Sequence, residues 1–556
     1  MGKTLIIRGG TVIDGTGDPP RVADVAIADG RITDIADRLS GSDTLDASGH
    51  VVSPGFVDIH THYDAQVFWD PWLTPSCHHG VTTTIAGNCG LSIAPVQPKG
   101  IQLLISTLAL VEDMSQATLS AGVPWDEFTT WPQYRAALRR RGVALNFGTF
   151  VGHSALRLWA MGDDAYERPA TTSELQQMTS VLAEAVAEGS IGFSSSCAHL
   201  DIGYGGRPVP SRLADEEEFC ALFEGLSQAG RGAAQLLPAG EIPFETIFDW
   251  RKRYGRPITW IALAAKKGNP EHREVVALHD EARARGIDVW PQISGRPIVF
   301  ELSMAKPTSW GSRQSFAEML GTGPLKDHVR QCYRDPAWRA QAWRELMSPD
   351  GPMPPFDWRG MWVASSPSHA DLIGIPIADL SRDAGETPLD TVLKIALDDD
   401  LETRCSVVLT NDDEEGIAWM LGRDGLLIGL ADSGAHVSQL CDACFSTDLL
   451  GTWVREREVL SLTQAIRKLS GEPAGFLGLS NRGTLEVGKA ADICIFDPDT
   501  VGPGKIRRVV DFPADGERMI ADEPSGVRDV FVNGVPIRWD GRPYREGLDA
   551  RPGVVF

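Results

Sequence analysis

The segment GFVDIHTHYDAQ, residues 55–66, is the part of the sequence from which the fold can be worked out. It contains a short apolar run, residues 56–59, that ends in His60-Thr61-His62. Side chains two positions apart on a strand point to the same face, so we expect His60 and His62 to project toward one point. Two neutral imidazoles supply half of a tetrahedral metal site, although an isolated HxH pattern is weak evidence of a metal.

Similar apolar runs recur along the chain and alternate with helical stretches, a pattern typical of parallel βα units. Eight such units predict an α/β fold of the (β/α)8 TIM-barrel type. The functional residues of such a barrel lie at the carboxyl ends of its strands, which is where His60 and His62 fall. The eight candidate strands are residues 55–62, 81–88, 142–153, 189–196, 232–238, 257–264, 286–294 and 425–433.

Short alternating runs with Gly-containing turns occupy both ends of the chain, among them Asp29-Gly30 and Asn533-Gly534. They predict one small β-sandwich domain built from residues 1–53 and 484–556, with the barrel at residues 54–475 between them. The stretch 295–424 is too long for a simple βα connection and predicts an insertion with its own packing.

Charge and composition exclude several classes of protein. The 556 residues have an ordinary globular balance and a formal net charge of −23. Such a charge favours solubility and argues against nucleic acid or an anionic membrane as a partner. The longest apolar run, residues 101–111, is too short to span a bilayer. The pattern leaves monomer and homo-oligomer open.

Cysteine usage indicates a reducing compartment. The nine cysteines are scattered along the chain and fit free thiols better than a disulfide framework. The first residues, MGKTLIIRGGTVIDG, do not read as a signal peptide. We therefore expect a cytoplasmic protein.

Two further strand ends carry residues suited to chemistry at the same barrel mouth. Candidate strand two ends in Asn88-Cys89-Gly90, and candidate strand eight ends at Asp432. A thiolate is a soft zinc ligand, and in a closed barrel the last strand lies beside the first. Each residue also has a simpler explanation: Cys89 as a buried structural thiol, Asp432 as a helix cap. Their joint occurrence with the HxH pattern favours a site.

The segments GFVDIHTHYDA, GVTTTIAGNCGLSIAP, FVGHSALR and LIGLADSGAHV resemble the D-aminoacylase (N-acyl-D-amino-acid deacylase) branch of the amidohydrolase superfamily. The resemblance covers about residues 3–545 and is weakest in 295–424. It implies that His60, His62, Cys89 and Asp432 surround zinc. It also implies that Asp432 handles the proton of the attacking water.

The sequence departs from the pattern of this family at two places. Relatives complete the tightly bound zinc with histidines at the ends of strands five and six, where this chain has Gln235 and Trp260. The four remaining ligands suffice for one tetrahedral ion, which leaves no open position unless Asp432 stays off the metal or a fifth ligand is tolerated. We expect one Zn²⁺, and we expect Gln235 and Trp260 to face the substrate.

Three other residues are candidates for substrate binding. His153 ends strand three, Tyr204 follows strand four, and Arg296 follows strand seven. An arginine can hold a carboxylate through two hydrogen bonds, although pairing with a nearby aspartate is an equally simple explanation for Arg296.

The leading functional hypothesis is hydrolysis of a C–N amide bond in a small molecule, such as an N-acyl (D-)amino acid or a cyclic amide. Metal-activated water would attack, with Asp432 as general base and acid. Two alternatives stay open: a metal-independent enzyme on the same barrel, and a non-catalytic binding protein.

Overall fold

The structure is a computed structural model that describes residues 4–199, 201–321, 326–351, 355–545 and 551–556. It divides into two compact units, one formed by Met1–Arg296 with Asp413–Phe556 and the other by Pro297–Asp412.

The strands are, in chain order, β1 Leu5–Val12, β2 Arg21–Ala28, β3 Arg31–Ala36, β4 Thr44–Asp46, β5 Val51–Pro54, β6 Phe56–Asp58, β7 Val81–Ala86, β8 Asn146–Gly152, β9 Gly192–Ser196, β10 Ala233–Leu237, β11 Ile258–Trp260, β12 Val289–Ile293, β13 Ile298–Ser303, β14 Met361–Ser365, β15 Arg404–Thr410, β16 Leu427–Ile428, β17 Ile493–Phe496, β18 Ile506–Phe512, β19 Gly516–Ala521, β20 Val527–Val532, β21 Val535–Trp539 and β22 Arg542–Pro543.

The α-helices are α1 Ile101–Val111, α2 Gln116–Gly122, α3 Trp131–Arg141, α4 His153–Met161, α5 Thr172–Ala187, α6 Glu216–Ala229, α7 Phe244–Tyr254, α8 Glu271–Ala284, α9 Gln314–Gly321, α10 Lys326–Arg334, α11 Pro336–Leu346, α12 Ile377–Ala384, α13 Pro388–Asp398, α14 Glu414–Leu421, α15 Phe445–Asp448, α16 Leu462–Leu469 and α17 Gly471–Phe476. A π-helical segment, Leu449–Glu456, follows α15.

Eight parallel strands form the sheet that carries the candidate site, in the order β16-β12-β11-β10-β9-β8-β7-β6. Its two edges meet where Thr61 bridges Ser433 in parallel and the His62 amide donates to the Ser433 carbonyl at 2.7 Å. Strands such as β7, VTTTIA, are buried along their whole length, as expected for a parallel sheet covered on both faces. Each predicted strand segment contains one of these strands, so the predicted fold is confirmed.

A second sheet joins the two ends of the chain. Its order is β22-β21-β20-β17-β5-β1-β2-β3, with β4 paired to β1. The antiparallel pairing of β5 with β17 places Val52 opposite Ile495, and both side chains are fully buried. The assignment of residues 1–53 and 484–556 to a separate domain stays a prediction, since the two-unit division keeps these strands with the barrel.

The unit Pro297–Asp412 has a core of its own. Strands β13, β15 and β14 form an antiparallel sheet, and α9–α13 supply helices. Its buried side chains include Trp310, Phe316, Tyr333 and Met361. The predicted insertion, 295–424, extends further than this unit and includes α14, which belongs to the first unit.

Within the described part of the chain, we find no helix whose length and apolar composition would suit it to crossing a bilayer.

Candidate active site

Four side chains converge where β6, β7 and β16 end. Nε2 of His60 lies 3.4 Å from the Cys89 sulfur and 3.2 Å from Oδ1 of Asp432. The same Asp432 oxygen is 3.7 Å from Nε2 of His62. Ligand atoms of His60, His62 and Cys89 all lie within 4.8 Å of one another. The structure therefore brings together the four residues predicted to surround a metal.

The backbone at two of these positions is strained. Cys89 has a φ of 55° and Asp432 a φ of 44°, which is the left-handed region that side-chain-bearing residues seldom adopt. No helix begins in the turns directly after Asp432, since α15 starts at Phe445, so the helix-cap explanation for Asp432 fails. Strain of this kind persists only where the surrounding structure enforces it.

Hydrogen bonds from neighbouring strands hold the turn that carries Cys89. The Cys89 amide donates to Oε1 of Gln235 at 2.6 Å, and the Gly90 amide donates to the Ser194 hydroxyl at 2.9 Å. Ser194 in turn donates to the Gly87 carbonyl at 2.5 Å. The thiol is thus fixed by β9 and β10 as well as by its own strand.

Both histidines are oriented through their other ring nitrogen. Nδ1 of His60 lies 2.9 Å from Oε1 of Gln292, and Nδ1 of His62 lies 2.9 Å from a Glu112 carboxylate oxygen. An acceptor at Nδ1 places a ring proton there and directs Nε2 at the cluster, where it can donate a proton to Asp432 or, once deprotonated, offer its lone pair to a metal. Holding the second ring nitrogen in this way is the usual support for a metal-ligating histidine.

Gln292 and Glu112 were missed by the sequence analysis. Gln292 lies in β12, inside a segment predicted as strand seven, and Glu112 lies at the end of α1. Both are almost completely buried, with Gln292 at 0% and Glu112 at 3% exposure. The sequence does show an acidic residue, Glu112, directly after an apolar helix. Nothing in the sequence identifies His62 as its partner.

The cluster is strongly coupled electrostatically. Burial raises the pKa of Asp432, but hydrogen bonds and charge from His60 and His62 outweigh burial and hold that pKa well below its usual range. Burial lowers the pKa of His60, yet Cys89 and Asp432 raise it to about 10. Asp432 is therefore an ionised carboxylate at neutral pH, able to accept a proton.

The donor set fits a divalent ion of the zinc type. Two imidazole nitrogens, one sulfur and one carboxylate oxygen are the ligands that Zn²⁺ prefers, and four of them match its tetrahedral coordination. The histidines already present Nε2 toward the cluster, so binding needs no reorientation of their rings.

Gln235 lies beside the cluster, whereas Trp260 does not. The pairing of β10 with β11 aligns Gln235 with Thr259 and Leu236 with Trp260, so the last two share the opposite face of the sheet. The Trp260 ring packs 4.8 Å from Phe244, and its Nε1 donates to His279 at 2.9 Å. Trp260 therefore belongs to the layer between strands and helices, and the structure does not bring it to the cluster.

His153 is also committed to the interior. Its Nδ1 lies 2.9 Å from the Ser195 hydroxyl and its Nε2 lies 2.6 Å from Glu218, which also pairs with Arg157. The ring is completely buried and both nitrogens have partners. Both ring nitrogens are therefore engaged within the protein, and substrate binding by His153 stays a prediction.

Arg296 has resident acidic partners, and Tyr204 lies in a partly exposed turn. The Arg296 guanidinium pairs at 2.8 Å with Asp442 and with Asp448, as the simpler explanation had it. Tyr204 begins a 3-10 turn, and its side chain is 44% exposed. A carboxylate-binding role for Arg296 would require a substrate to compete with two resident acids.

A sequence model of the amidohydrolase family matches residues 43–337 and 408–538. The chain belongs to the amidohydrolase family. This match confirms the prediction of an amidohydrolase enzyme. The two similar proteins that follow confirm its D-aminoacylase branch. This amidohydrolase is 28% identical to N-acyl-D-glutamate deacylase of Alcaligenes xylosoxydans xylosoxydans, with 99% of the chain and 96% of the relative covered. It is 26% identical to D-aminoacylase of the same organism, with 97% and 95% covered.

Solved structures share the fold of this amidohydrolase. N-acyl-D-glutamate deacylase of Bordetella bronchiseptica, crystallised with zinc and a phosphonate inhibitor that mimics the tetrahedral reaction intermediate, matches with a TM-score of 0.68. The alignment covers 100% of this chain and 99% of that one at 24% identity.

Proposed function

We propose that this amidohydrolase cleaves the amide bond of small N-acyl amino acids, with N-acyl-D-amino acids as the preferred class. One observation carries the proposal: two imidazole nitrogens, a thiol sulfur and an ionised carboxylate converge at the mouth of the barrel. Full-length similarity to a D-aminoacylase and an N-acyl-D-glutamate deacylase supports the substrate class.

We further propose that one zinc ion lies among these four side chains, held by His60, His62 and Cys89, so that Asp432 stays free for proton transfer and one coordination position is open to water. When bound there, the ion lowers the pKa of water toward neutrality and polarises the scissile carbonyl. A single ion is supported by the interior residues of β10 and β11, Gln235 and Thr259, because neither an amide nor a hydroxyl is a favoured zinc ligand.

In this mechanism Asp432 moves the proton. Its carboxylate is ionised because positive charge beside it, on the imidazoles or on an ion held by them, favours the charged form, so it can accept a proton from the attacking water. The water oxygen bonds to the carbonyl carbon, the C–N bond breaks, and Asp432 returns the proton to the leaving nitrogen. The products are a carboxylic acid and an amine, which become a carboxylate and an ammonium when the acid's proton passes to the amine, and Asp432 ends as it began.

His60 and His62 fix the position of Asp432 in this step. The carboxylate oxygen that faces both Nε2 atoms is held between two rings, each anchored at Nδ1 by Gln292 or Glu112. Pre-set geometry of this kind lowers the barrier because no group has to be reoriented during the reaction.

A metal-independent enzyme on the same barrel is the second candidate, and Gln235 in place of a ligand motivates it.

We also propose a cytoplasmic location, supported by the nine free cysteines and the acidic charge.

The test uses protein purified without chelators. Metal content is measured first, and hydrolysis is then measured on N-acetyl-D-amino acids with acidic and neutral side chains, on their L enantiomers and on a hydantoin. We expect about one zinc per chain and hydrolysis of D substrates that is lost on chelation and restored by zinc. Activity that persists in metal-free protein would replace this mechanism with the second candidate. No hydrolysis of any amide by the zinc-loaded protein would overturn the proposal.

A further inference from the structure

We propose that Gln235 is a substrate-contacting residue whose Nε2 donates a hydrogen bond to the carbonyl oxygen of the amide being cleaved. The inference rests on the proposed amide hydrolysis and adds a residue-level role to it. Negative charge develops on that oxygen in the transition state, and fixed donors aimed at such charge are among the largest contributions to catalysis.

Strand register places Gln235 on the inner face of the barrel. Its Cα partners on the flanking strands are Ser194 and Thr259, and the Ser194 hydroxyl contacts the turn that carries Cys89. Leu236, one position on, belongs to the hydrophobic layer under the helices. Because strand side chains alternate, Gln235 points to the side where the site lies.

The orientation of the Gln235 amide follows from its partner. The Cys89 backbone N–H lies 2.6 Å from one amide atom, and an N–H can donate only to the oxygen. The hydrogen-bond network therefore assigns Oε1 to Cys89 and leaves the NH2 group at the other position.

That NH2 group has no partner among the residues that the structure describes. Nε2 of Gln235 is buried without a hydrogen bond, and the side chain as a whole is 0% exposed. Buried donors are nearly always satisfied, and an exception beside reactive groups calls for a ligand or a water. A carbonyl oxygen is the acceptor that an amide hydrolase brings to this place.

Gln235 is close enough to the converging side chains to serve them. It touches the backbone of Cys89, whose sulfur lies 3.4 Å from Nε2 of His60. Gln292 also carries an unpartnered Nε2, but its Oε1 contacts Nδ1 of His60, the ring atom on the far side from the cluster. Only Gln235 of these two glutamines meets the site at a ligand residue's own backbone.

The experiment compares three variants of the full chain after zinc loading. Gln235→Glu keeps an oxygen for the Cys89 amide and removes the donor, whereas Gln235→Met removes both. Gln228→Glu makes the same chemical change at an exposed position of α6 and serves as the matched control. Zinc content, kcat and KM are measured on the best D substrate, and calorimetry measures binding of a phosphonate analogue of the tetrahedral intermediate.

We expect Gln235→Glu to retain zinc and a KM within a few-fold of wild type while kcat falls by roughly 10²–10³. Affinity for the phosphonate should fall in parallel, because the analogue presents the oxygen that the donor contacts. Gln235→Met should lose zinc as well, since the Cys89 turn loses its support.

Two results would overturn the inference without touching the proposed function. One is a Gln235→Glu variant with wild-type kcat and full zinc. The other is an activity loss fully explained by zinc loss, which would make Gln235 a structural support only. Inactivity of the wild-type protein on every amide would instead overturn the proposed function, and this inference with it.

Discussion

Asp432 stands between two imidazoles that determine its charge. Asp432→Asn preserves the shape of the side chain but removes the negative charge and the ability to take a proton. Turnover should fall by roughly 10²–10⁴, the usual contribution of a positioned acid–base group. Zinc should remain largely bound through His60, His62 and Cys89. The measurements are kcat, zinc content and melting temperature.

The same variant separates three roles. Loss of zinc together with rate would make Asp432 chiefly a ligand. A lower melting temperature, with an unchanged kcat per zinc-loaded molecule, would make it a structural residue. Full activity in Asp432→Asn would remove the centre of the mechanism.

His79 is a buried histidine away from the site. Burial, together with charge from His78, Arg538 and Arg296, lowers its pKa to about 3, whereas an unfolded chain has the ordinary value of 6.5. Below pH 6.5 the unfolded state binds a proton that the folded state refuses, so stability falls as the pH falls. By pH 5 this single group should cost about 2 kcal/mol.

The matched variant is His79→Asn, whose amide can keep the contact that Nδ1 makes with the Thr447 hydroxyl at 2.7 Å. It should be less stable than wild type at pH 8, because the smaller side chain leaves space. It should also lose less stability between pH 8 and pH 5. Urea denaturation at both pH values measures the difference, and equal losses in the two proteins would contradict the assignment.

At the scale of elements, the neighbouring strands β12 and β16 together determine the orientation of the His60 ring. A Cβ on Gly429, just after β16, would lie 2.6 Å from Oε1 of Gln292. Gly429→Ala should therefore displace Gln292 from His60 and lower zinc affinity by roughly 10–100-fold, as expected for loss of a group that orients a ligand. Competition with a chelator measures the affinity.

The control is Gly475→Ala in α17, where a Cβ meets nothing within 4 Å. It should leave zinc affinity unchanged and raise the melting temperature slightly, because alanine favours helix more than glycine does. Equal zinc affinity in the two variants would show that Gln292 does not support His60.

The strands of the barrel were predictable, but the faces of their side chains were not. Apolar runs and loop signals located every strand, and the residues just past β6, β7 and β16 gave His60, His62, Cys89 and Asp432. A parallel strand buried on both faces carries no polar alternation, so the inner and outer residues look alike in sequence. For this reason the sequence does not distinguish Trp260 from its neighbour Thr259, although Thr259 is the one that faces the inside of the barrel.

Support from distant parts of the chain was equally hidden. His153 meets Glu218 and His62 meets Glu112 only because the fold brings α6 and the end of α1 to them. No local pattern encodes such pairs. The sequence shows which polar side chains the chain contains, but not which of them the folded structure pairs with one another.

At the scale of the whole molecule, the sheet shared by both chain ends makes them depend on each other. Ile495→Asp would bury a carboxylate between β5 and β20, where Ile495 is fully buried. We expect rapid proteolysis at both ends of the chain, within β1–β5 as well as β17–β22. Val510→Asp, at a position on β18 that is 64% exposed, is the control and should leave the digestion pattern unchanged. Cleavage confined to the C-terminal strands would contradict the prediction.

The pairing of β5 with β17 can form only late in the synthesis of the chain. Val52 and its partner Ile495 are separated by about 440 positions, which a ribosome adding 5–20 residues per second covers in roughly 20–90 s. Through that interval β5 has left the ribosome while β17, one of its two partner strands, does not yet exist. An unpaired strand edge invites association with other chains, so we expect the nascent protein to need chaperones until translation nears its end. Ribosomes that stall or terminate before β17 should therefore release aggregating fragments rather than smaller folded enzymes.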